Sequence, residues 1–355
     1  MTATAKIVAG ADEITPQWLS AALSTPVHEV IATPVGTGQM GSVFRLEISG
    51  EGAPRRLIAK LPAADPAARA MVAGAYRQEI RFYREIAPTV SVRVPACHYA
   101  EFDGDGAEFT LLLDDLTPAR QGDQVTGCTV AQARAAVGNL AGLHGPRWCD
   151  PGLPAIEGLT FNGDAEAHAL AELYGPATEI FIDRLGERLS PADHETLRAC
   201  VPGIADWLLA APERFAPVHG DYRLDNLMFS GDSDEIESGG IEVWAVDWQT
   251  LGLGLPARDL SYFVATALEP EIRRAHEDSI IETYWRALCS YGVTDYTLGQ
   301  CRQDYGFALV QGPLVAVFGA AYGAATPRGD DMFAAMARRS CAAIRDWDAL
   351  ERKPA

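Results

Sequence analysis

Residues 219–226 read His-Gly-Asp-Tyr-Arg-Leu-Asp-Asn, which puts an imidazole, two carboxylates, a guanidinium and an amide into eight positions before Leu227, Met228 and Phe229. So much polarity beside an apolar run marks either a turn or a site. Asp221 and Asn226 stand five apart, and 21 residues after Asn226, at the end of Val-Trp-Ala-Val, comes Asp247. Three oxygen-bearing side chains near strand ends suit Mg2+, which prefers oxygen ligands and the phosphates of a bound nucleotide. The chemistry they permit is phosphoryl transfer, which needs one carboxylate at the attacking hydroxyl, a metal and a positioned polyphosphate. Asp221 is the expected base, and Asn226 and Asp247 are the expected metal ligands.

A phosphate holder is expected earlier in the chain. Gly36, Gly38 and Gly41 have GxGxxG spacing, which a hairpin turn without a ligand would also carry. A dinucleotide fold needs a helix to start in that motif and an acidic residue about 20 positions later. Here Ser42 opens the alternating run Ser-Val-Phe-Arg-Leu-Glu-Ile, and nineteen residues after Gly41 comes Lys60. Strand, glycine turn, strand and lysine describe a flap over nucleotide phosphates. The chain has 3 lysines against 26 arginines, and Lys60 sits in the apolar Leu-Ile-Ala-Lys-Leu. An edge-strand lysine reaching back into water would look the same. Its candidate partner is Glu79, which falls within the apolar stripe Val72, Tyr76, Phe82, Tyr83 and Ile86 of a helix expected over 67–86. A carboxylate there needs a cation facing it. Glu85 points elsewhere and reads as surface.

The elements that must hold these residues fall into two groups. Thr15 as N-cap and Pro16 at the first helical position predict a short helix over 16–23. Strands are expected over 28–35, 42–48, 56–61 and 109–113. From about residue 117 the pattern is mostly helical, interrupted by Leu-Met-Phe and Val-Trp-Ala-Val-Asp-Trp on either side of a polar loop at 231–240. The fold class expected is α+β, with a small antiparallel-sheet lobe over 1–116 and a larger, mostly helical lobe over 117–355. Residues 305–327 carry no charge over 23 positions, long enough to cross a bilayer, but Gly306, Gly312, Pro313, Gly319 and Gly323 interrupt them. A core helix broken near Pro313 is the reading adopted. Trp207, Tyr262, Phe263, Tyr284, Trp285, Tyr305 and Phe307 would line an acceptor pocket or, as their helical spacing favours, simply fill the core. Arg223 and Asp225 are expected to pair locally and shape their loop.

Formal charge is −19, and residues 117–355 hold 19 Lys and Arg against 34 Asp and Glu. Nucleic acid and anionic membranes are poor partners for such a body, since phosphate binding needs a basic patch. A cationic substrate would be welcome, although acidity that merely keeps the chain soluble explains the charge as well. The seven cysteines include no CxxC pair, and His28, His98, His168, His194 and His276 have no partner at metal-ligand spacing. With no apolar run near the N-terminus to serve as a signal, a cytoplasmic location is expected.

The ordered set Gly36, Gly38 and Gly41, then Lys60, Glu79, the 219–226 stretch and Val-Asp-Trp at 246–248 resembles the aminoglycoside phosphotransferase and choline kinase family, which shares the protein-kinase-like fold. The likeness covers residues 33 to 265. It implies ATP as phosphoryl donor, with Lys60 on the alpha and beta phosphates and Glu79 holding Lys60. It also implies the adenine against a hinge at 115–117, with Asp115 and Leu116 in contact. His219 would brace the catalytic loop, and His144 and Asp259 would be structural supports. The chain departs from protein kinases at Gly220, where they carry arginine, and at Asp247-Trp248-Gln249 in place of Asp-Phe-Gly. Twelve residues from Asp247 to Asp259 leave too little chain for a peptide-docking platform, so a small hydroxyl-bearing acceptor is expected and a protein substrate is disfavoured. Tyr222 to Asp225 resemble the branch that includes ecdysteroid kinase-like proteins and the kinase-like domains fused to acyl-CoA dehydrogenases. The competing expectation is a pseudokinase, which binds nucleotide or a partner without chemistry; its sign would be loss of Lys60, Asp221 or Asp247, and all three are present.

Overall fold

The computed structural model describes residues 5–35, 41–210, 213–231 and 240–355. Gly36 and Gly38 of the glycine turn, and residues 232–239 of the polar loop, lie outside the described residues. The chain divides into two compact units, one comprising Met1–Thr89, Val94–Pro118 and Val246–Thr250, the other Val90–Arg93, Ala119–Ala245 and Leu251–Ala355.

The first unit begins with helix α1 (Pro16–Leu23), where the Thr15 hydroxyl accepts the Trp18 N–H at 3.2 Å. Strands β1 (Glu29–Pro34), β2 (Gly41–Ser49) and β3 (Arg56–Pro62) precede helix α2 (Pro66–Arg81), and β4 (Cys97–Phe102) and β5 (Phe109–Asp114) follow it. They form an antiparallel sheet in the order β1-β2-β3-β5-β4. Alternation along β3 buries Leu57, Ala59 and Leu61 with Leu46, Leu112 and Tyr99, which leaves Lys60 on the opposite face. Gly41 pairs across from Pro62, and a Cβ there would lie 2.8 Å from the Leu61 carbonyl oxygen, so glycine is required by close backbone approach. The helix expected over 67–86 is regular only to Arg81. From Phe82 to Ile86 it widens into a π turn, a local change often found beside functional sites.

The second unit contains β6 (Arg120–Gln121), α3 (Val130–His144), α4 (Asp164–Leu185), α5 (Pro191–Cys200), α6 (Ile204–Leu209), β7 (Ala216–Val218), β8 (Leu227–Phe229), β9 (Val243–Ala245) and β10 (Gly252–Gly254). Helices α7 (Ala257–Ala267), α8 (Pro270–Ser290), α9 (Leu298–Ala308), α10 (Gln311–Tyr322) and α11 (Pro327–Asp346) complete it. Helix α7 is buried on every side, Arg258 alone excepted, and forms the centre of the unit. Strand β7 pairs with β10, and β8 lies between β6 and β9, so the 219–226 stretch joins two short ladders.

The apolar stretch Leu298–Tyr322 is long enough to cross a membrane by length and composition, but 67% of its most apolar 18-residue segment is buried within the protein. It is a pair of core helices, as expected, and the break falls at Leu309 and Val310, just before Pro313. Pro313 sits in the first turn of α10, where its missing N–H has no helical acceptor to lose, so it starts a helix instead of ending one.

Candidate active site

In the first unit, the face of β3 opposite its core carries the cation that Glu79 needs. Lys60 Nζ lies 2.5 Å from Glu79 Oε1 and 3.7 Å from Asp247 Oδ1. Glu79 is fully buried, so the pair satisfies a carboxylate that could not otherwise remain inside. Burial works against the charge of Lys60, but Glu79 and Asp247 outweigh it and hold the ammonium above its ordinary range. Burial pushes the Glu79 carboxyl up while Lys60 pulls against that rise. Gln249 adds a long contact from its amide nitrogen to Glu79 Oε2, at 3.5 Å.

Asp247 has φ +66°, a left-handed conformation that is rare for a residue with a side chain and is found preferentially at functional sites. Its neighbour Trp248 is fully buried and stacks on Phe82, the first residue of the π turn, with ring centroids 3.4 Å apart and planes 2° from parallel. Asp247 Oδ1 is buried without a hydrogen bond, while the side chain as a whole keeps 40% exposure. A carboxylate with one oxygen short of a donor and another side open to solvent fits a hard cation.

In the second unit, the loop between β7 and β8 is gripped from beneath by α7. Asp259 accepts the main-chain N–H groups of His219 at 2.6 Å and Gly220 at 2.9 Å. His144 Nε2 lies 3.3 Å from the same carboxylate, and its Nδ1 lies 2.7 Å from the Tyr284 hydroxyl. Gly220 has φ +78°, a left-handed conformation that glycine adopts without strain. The Asp221 N–H donates to His219 Nδ1 at 3.3 Å, so the imidazole braces the loop from within.

The Asp221 carboxylate accepts from three side chains. Arg223 Nε reaches both oxygens at 3.0 Å, the Tyr262 hydroxyl donates to Oδ1 at 2.7 Å, and Asn226 Nδ2 donates to Oδ2 at 2.9 Å. Asn226 Nδ2 also bonds the Asp221 carbonyl at 2.8 Å, so the amide nitrogen is used within the loop. Burial opposes the charge of Arg223, yet Asp221 leads the neighbours that keep it above its ordinary value.

Asp225 and Arg223 pair at 2.9 Å, as the sequence suggests, but the pair belongs to a larger frame. Arg328 clasps Asp225 with both terminal nitrogens at 2.9 Å, and the Gln124 N–H donates to it at 3.0 Å. Buried Gln124 also accepts the Leu224 N–H at 2.9 Å and donates to the Thr266 carbonyl at 2.8 Å. Arg339, only 1% exposed, closes the frame on the carbonyls of Gln124, Val125 and Thr266.

Of the residues singled out from sequence, Lys60, Glu79 and Asp247 come together in the first unit, and Asp221 and Asn226 come together in the second. Gly41 and Ser42 begin β2. Asp115 is held by Arg45 Nε at 2.7 Å and by the Thr117 N–H and hydroxyl at 3.0 and 2.7 Å. Leu116 beside it is half-buried. Gln124 and Arg328 went unrecognised in the sequence, where Tyr262 reads only as an aromatic of the acceptor pocket or core; the available signal for its role was the spacing of Asp259 and Tyr262, one helical turn apart on α7. Among the described residues no group of three His, Cys, Asp or Glu side chains converges as a metal cage.

Residues 31–302 match the model of the phosphotransferase enzyme family. No curated protein matches the chain in sequence. Among solved structures, choline kinase from Cryptosporidium parvum Iowa II aligns with a TM-score of 0.59 at 10% identity, covering 95% of this chain and 93% of that one. The microcompartment-associated aminopropanol kinase gives 0.52 at 13%, covering 91% and 94%. The GDP complex of wild-type aminoglycoside 2'-phosphotransferase-IIIa gives 0.51 at 14%, covering 88% and 93%. Likeness at these identities speaks for the fold, which is the α+β, two-lobed protein-kinase-like one expected, and it does not resolve the branch suggested by residues 222–225. With most of its length matched by the family model, the chain belongs to the phosphotransferase enzyme family.

Proposed function

We propose that the chain is an ATP- and Mg2+-dependent kinase that transfers the γ-phosphoryl group to a hydroxyl of a small molecule. The observation that carries this reading is the Asp221 carboxylate, held by Tyr262, Arg223 and Asn226 on a loop whose backbone is fixed by Asp259. A carboxylate mounted so firmly is suited to orienting an alcohol and taking its proton as the phosphoryl group arrives.

Lys60, kept charged by Glu79, serves the α and β phosphates, and the glycine motif of Gly36, Gly38 and Gly41 with Ser42 is the other part of the chain assigned to them. The segment with Asp115 and Leu116 receives the adenine. Asn226 and Asp247 are the residues that would hold Mg2+, whose chemistry is to neutralise phosphate charge during transfer. Residues 1–116 thus serve the nucleotide, and residues 117–355 serve the catalysis and the acceptor. Choline kinase and aminopropanol kinase, which share the fold, are named for small amino alcohols, and the acidic second part of this chain would accept such a cation. The short connection from Asp247 to Asp259 supports a small acceptor over a protein, and the protein is expected to work in the cytoplasm.

The test is ADP release from Mg-ATP across a library of hydroxyl compounds. Turnover with at least one alcohol, lost in Asp221→Ala while nucleotide binding persists, supports the reading. Turnover that survives the substitution removes Asp221 from its role.

A further inference from the structure

The proton acceptor in this reading needs a fixed direction, because rotation about the last bond of an aspartate side chain is soft. Two of its three donors touch one oxygen each: Asn226 Nδ2 holds Oδ2 and the Tyr262 hydroxyl holds Oδ1. Arg223 instead shares one N–H between both oxygens at 3.0 Å and also bonds Asp225, so its contact is the one able to yield when an alcohol arrives. We propose that Tyr262 is a positioning residue for phosphoryl transfer, pinning Oδ1 so that the carboxylate plane of Asp221 stays turned toward the acceptor hydroxyl.

Three observations support this role. The Tyr262 ring is fully buried in the helix at the centre of its unit, so its hydroxyl cannot swing away. Asp259, one turn earlier on the same helix, holds the loop main chain at His219 and Gly220, so one helix face fixes both the backbone and the carboxylate. Burial, reinforced by Asp221, also holds the Tyr262 proton well above the ordinary tyrosine range, so the group remains a donor at working pH.

This role rests on Asp221 being the base, and the test separates the two. Wild type, Asp221→Asn, Tyr262→Phe and Tyr296→Phe are compared for ADP release from Mg-ATP, with water and with library alcohols as acceptors. Tyr296 is the control: its hydroxyl is also buried and donates to a carboxylate, that of Asp304 at 3.0 Å, outside the loop. Expected for Tyr262→Phe is a kcat lower by about tenfold to a hundredfold with an unchanged nucleotide KM, while Tyr296→Phe loses thermal stability but not kcat. Activity in Asp221→Asn would remove the base assignment itself. Loss in Asp221→Asn with a Tyr262→Phe kcat within twofold of wild type would overturn only the positioning role. A crystal structure of Tyr262→Phe decides the matter if the wild type shows no turnover: a rotated carboxylate supports the role, and an unmoved one contradicts it.

Discussion

Trp248 lies flat on Phe82, with ring centroids 3.4 Å apart, and this stack fastens the segment that carries Asp247 to the end of the helix that carries Glu79. The π turn is what brings Phe82 to that place. Trp248→Ala should therefore cost about 3–5 kcal/mol of stability, the usual range for emptying a large aromatic site. Mg2+-dependent nucleotide affinity should fall with it, while Trp248→Phe retains most of both. Urea unfolding and nucleotide titrations with and without Mg2+ check this, and an alanine variant with wild-type metal dependence would contradict it.

Lys60→Met removes the cation that compensates a fully buried Glu79, a change expected to cost about 3–5 kcal/mol. The cost should depend on pH with a definite sign. The folded Glu79 carboxyl lies above its ordinary value, so the fold binds its proton more tightly than the unfolded chain does. The corresponding stability is present below the unfolded value and is lost as pH rises through the folded one. Without Lys60 that rise grows, so the variant should approach wild type at pH 5 and fall furthest behind at pH 8. Urea midpoints across that range measure it, and a constant gap would refute the assignment.

Asp225 behaves in the opposite way. Burial opposes its charge, but Arg328, the Gln124 N–H and Arg223 prevail and hold it below the ordinary carboxylate range. Its stabilisation is present above the unfolded value and is lost as pH falls through the folded one. Arg328 is 58% exposed, so Arg328→Ala should cost only about 1 kcal/mol near neutrality. The variant should start to unfold at higher pH than wild type in an acid titration followed by circular dichroism.

Gln124→Leu would leave the buried Leu224 N–H without its acceptor, at a cost of about 1–3 kcal/mol. Since Leu224 lies between Arg223 and Asp225, kcat should drop more than the nucleotide KM changes. Steady-state kinetics beside thermal unfolding separates the two effects.

How much of this was legible in the sequence depended on whether a residue's need could be met locally. Glu79 in an apolar stripe announced its want of a cation, and a lone lysine in an apolar strand announced its want of an anion, so their pairing followed. The polarity of 219–226 likewise demanded a frame, but not its members. Arg328 comes from 103 residues beyond Asp225, and Tyr262 looked like any aromatic at helical spacing because its hydroxyl's destination depends on the fold of the loop above it. The break near Pro313 and the helix reaching residue 86 are both present, but the exact place of the first and the π turn that ends the second stayed hidden for a related reason. A proline is neutral in a first turn, and the π turn coincides with the stack on Trp248, a residue 166 positions further on.

The most direct measurement is ADP release from Mg-ATP by wild type and by Asp221→Asn over the same hydroxyl-compound library, with nucleotide binding followed in parallel. Alcohol-stimulated turnover in the wild type, reduced by about a hundredfold or more in the variant at unchanged nucleotide affinity, is the predicted result. Equal turnover by the two proteins would contradict the account.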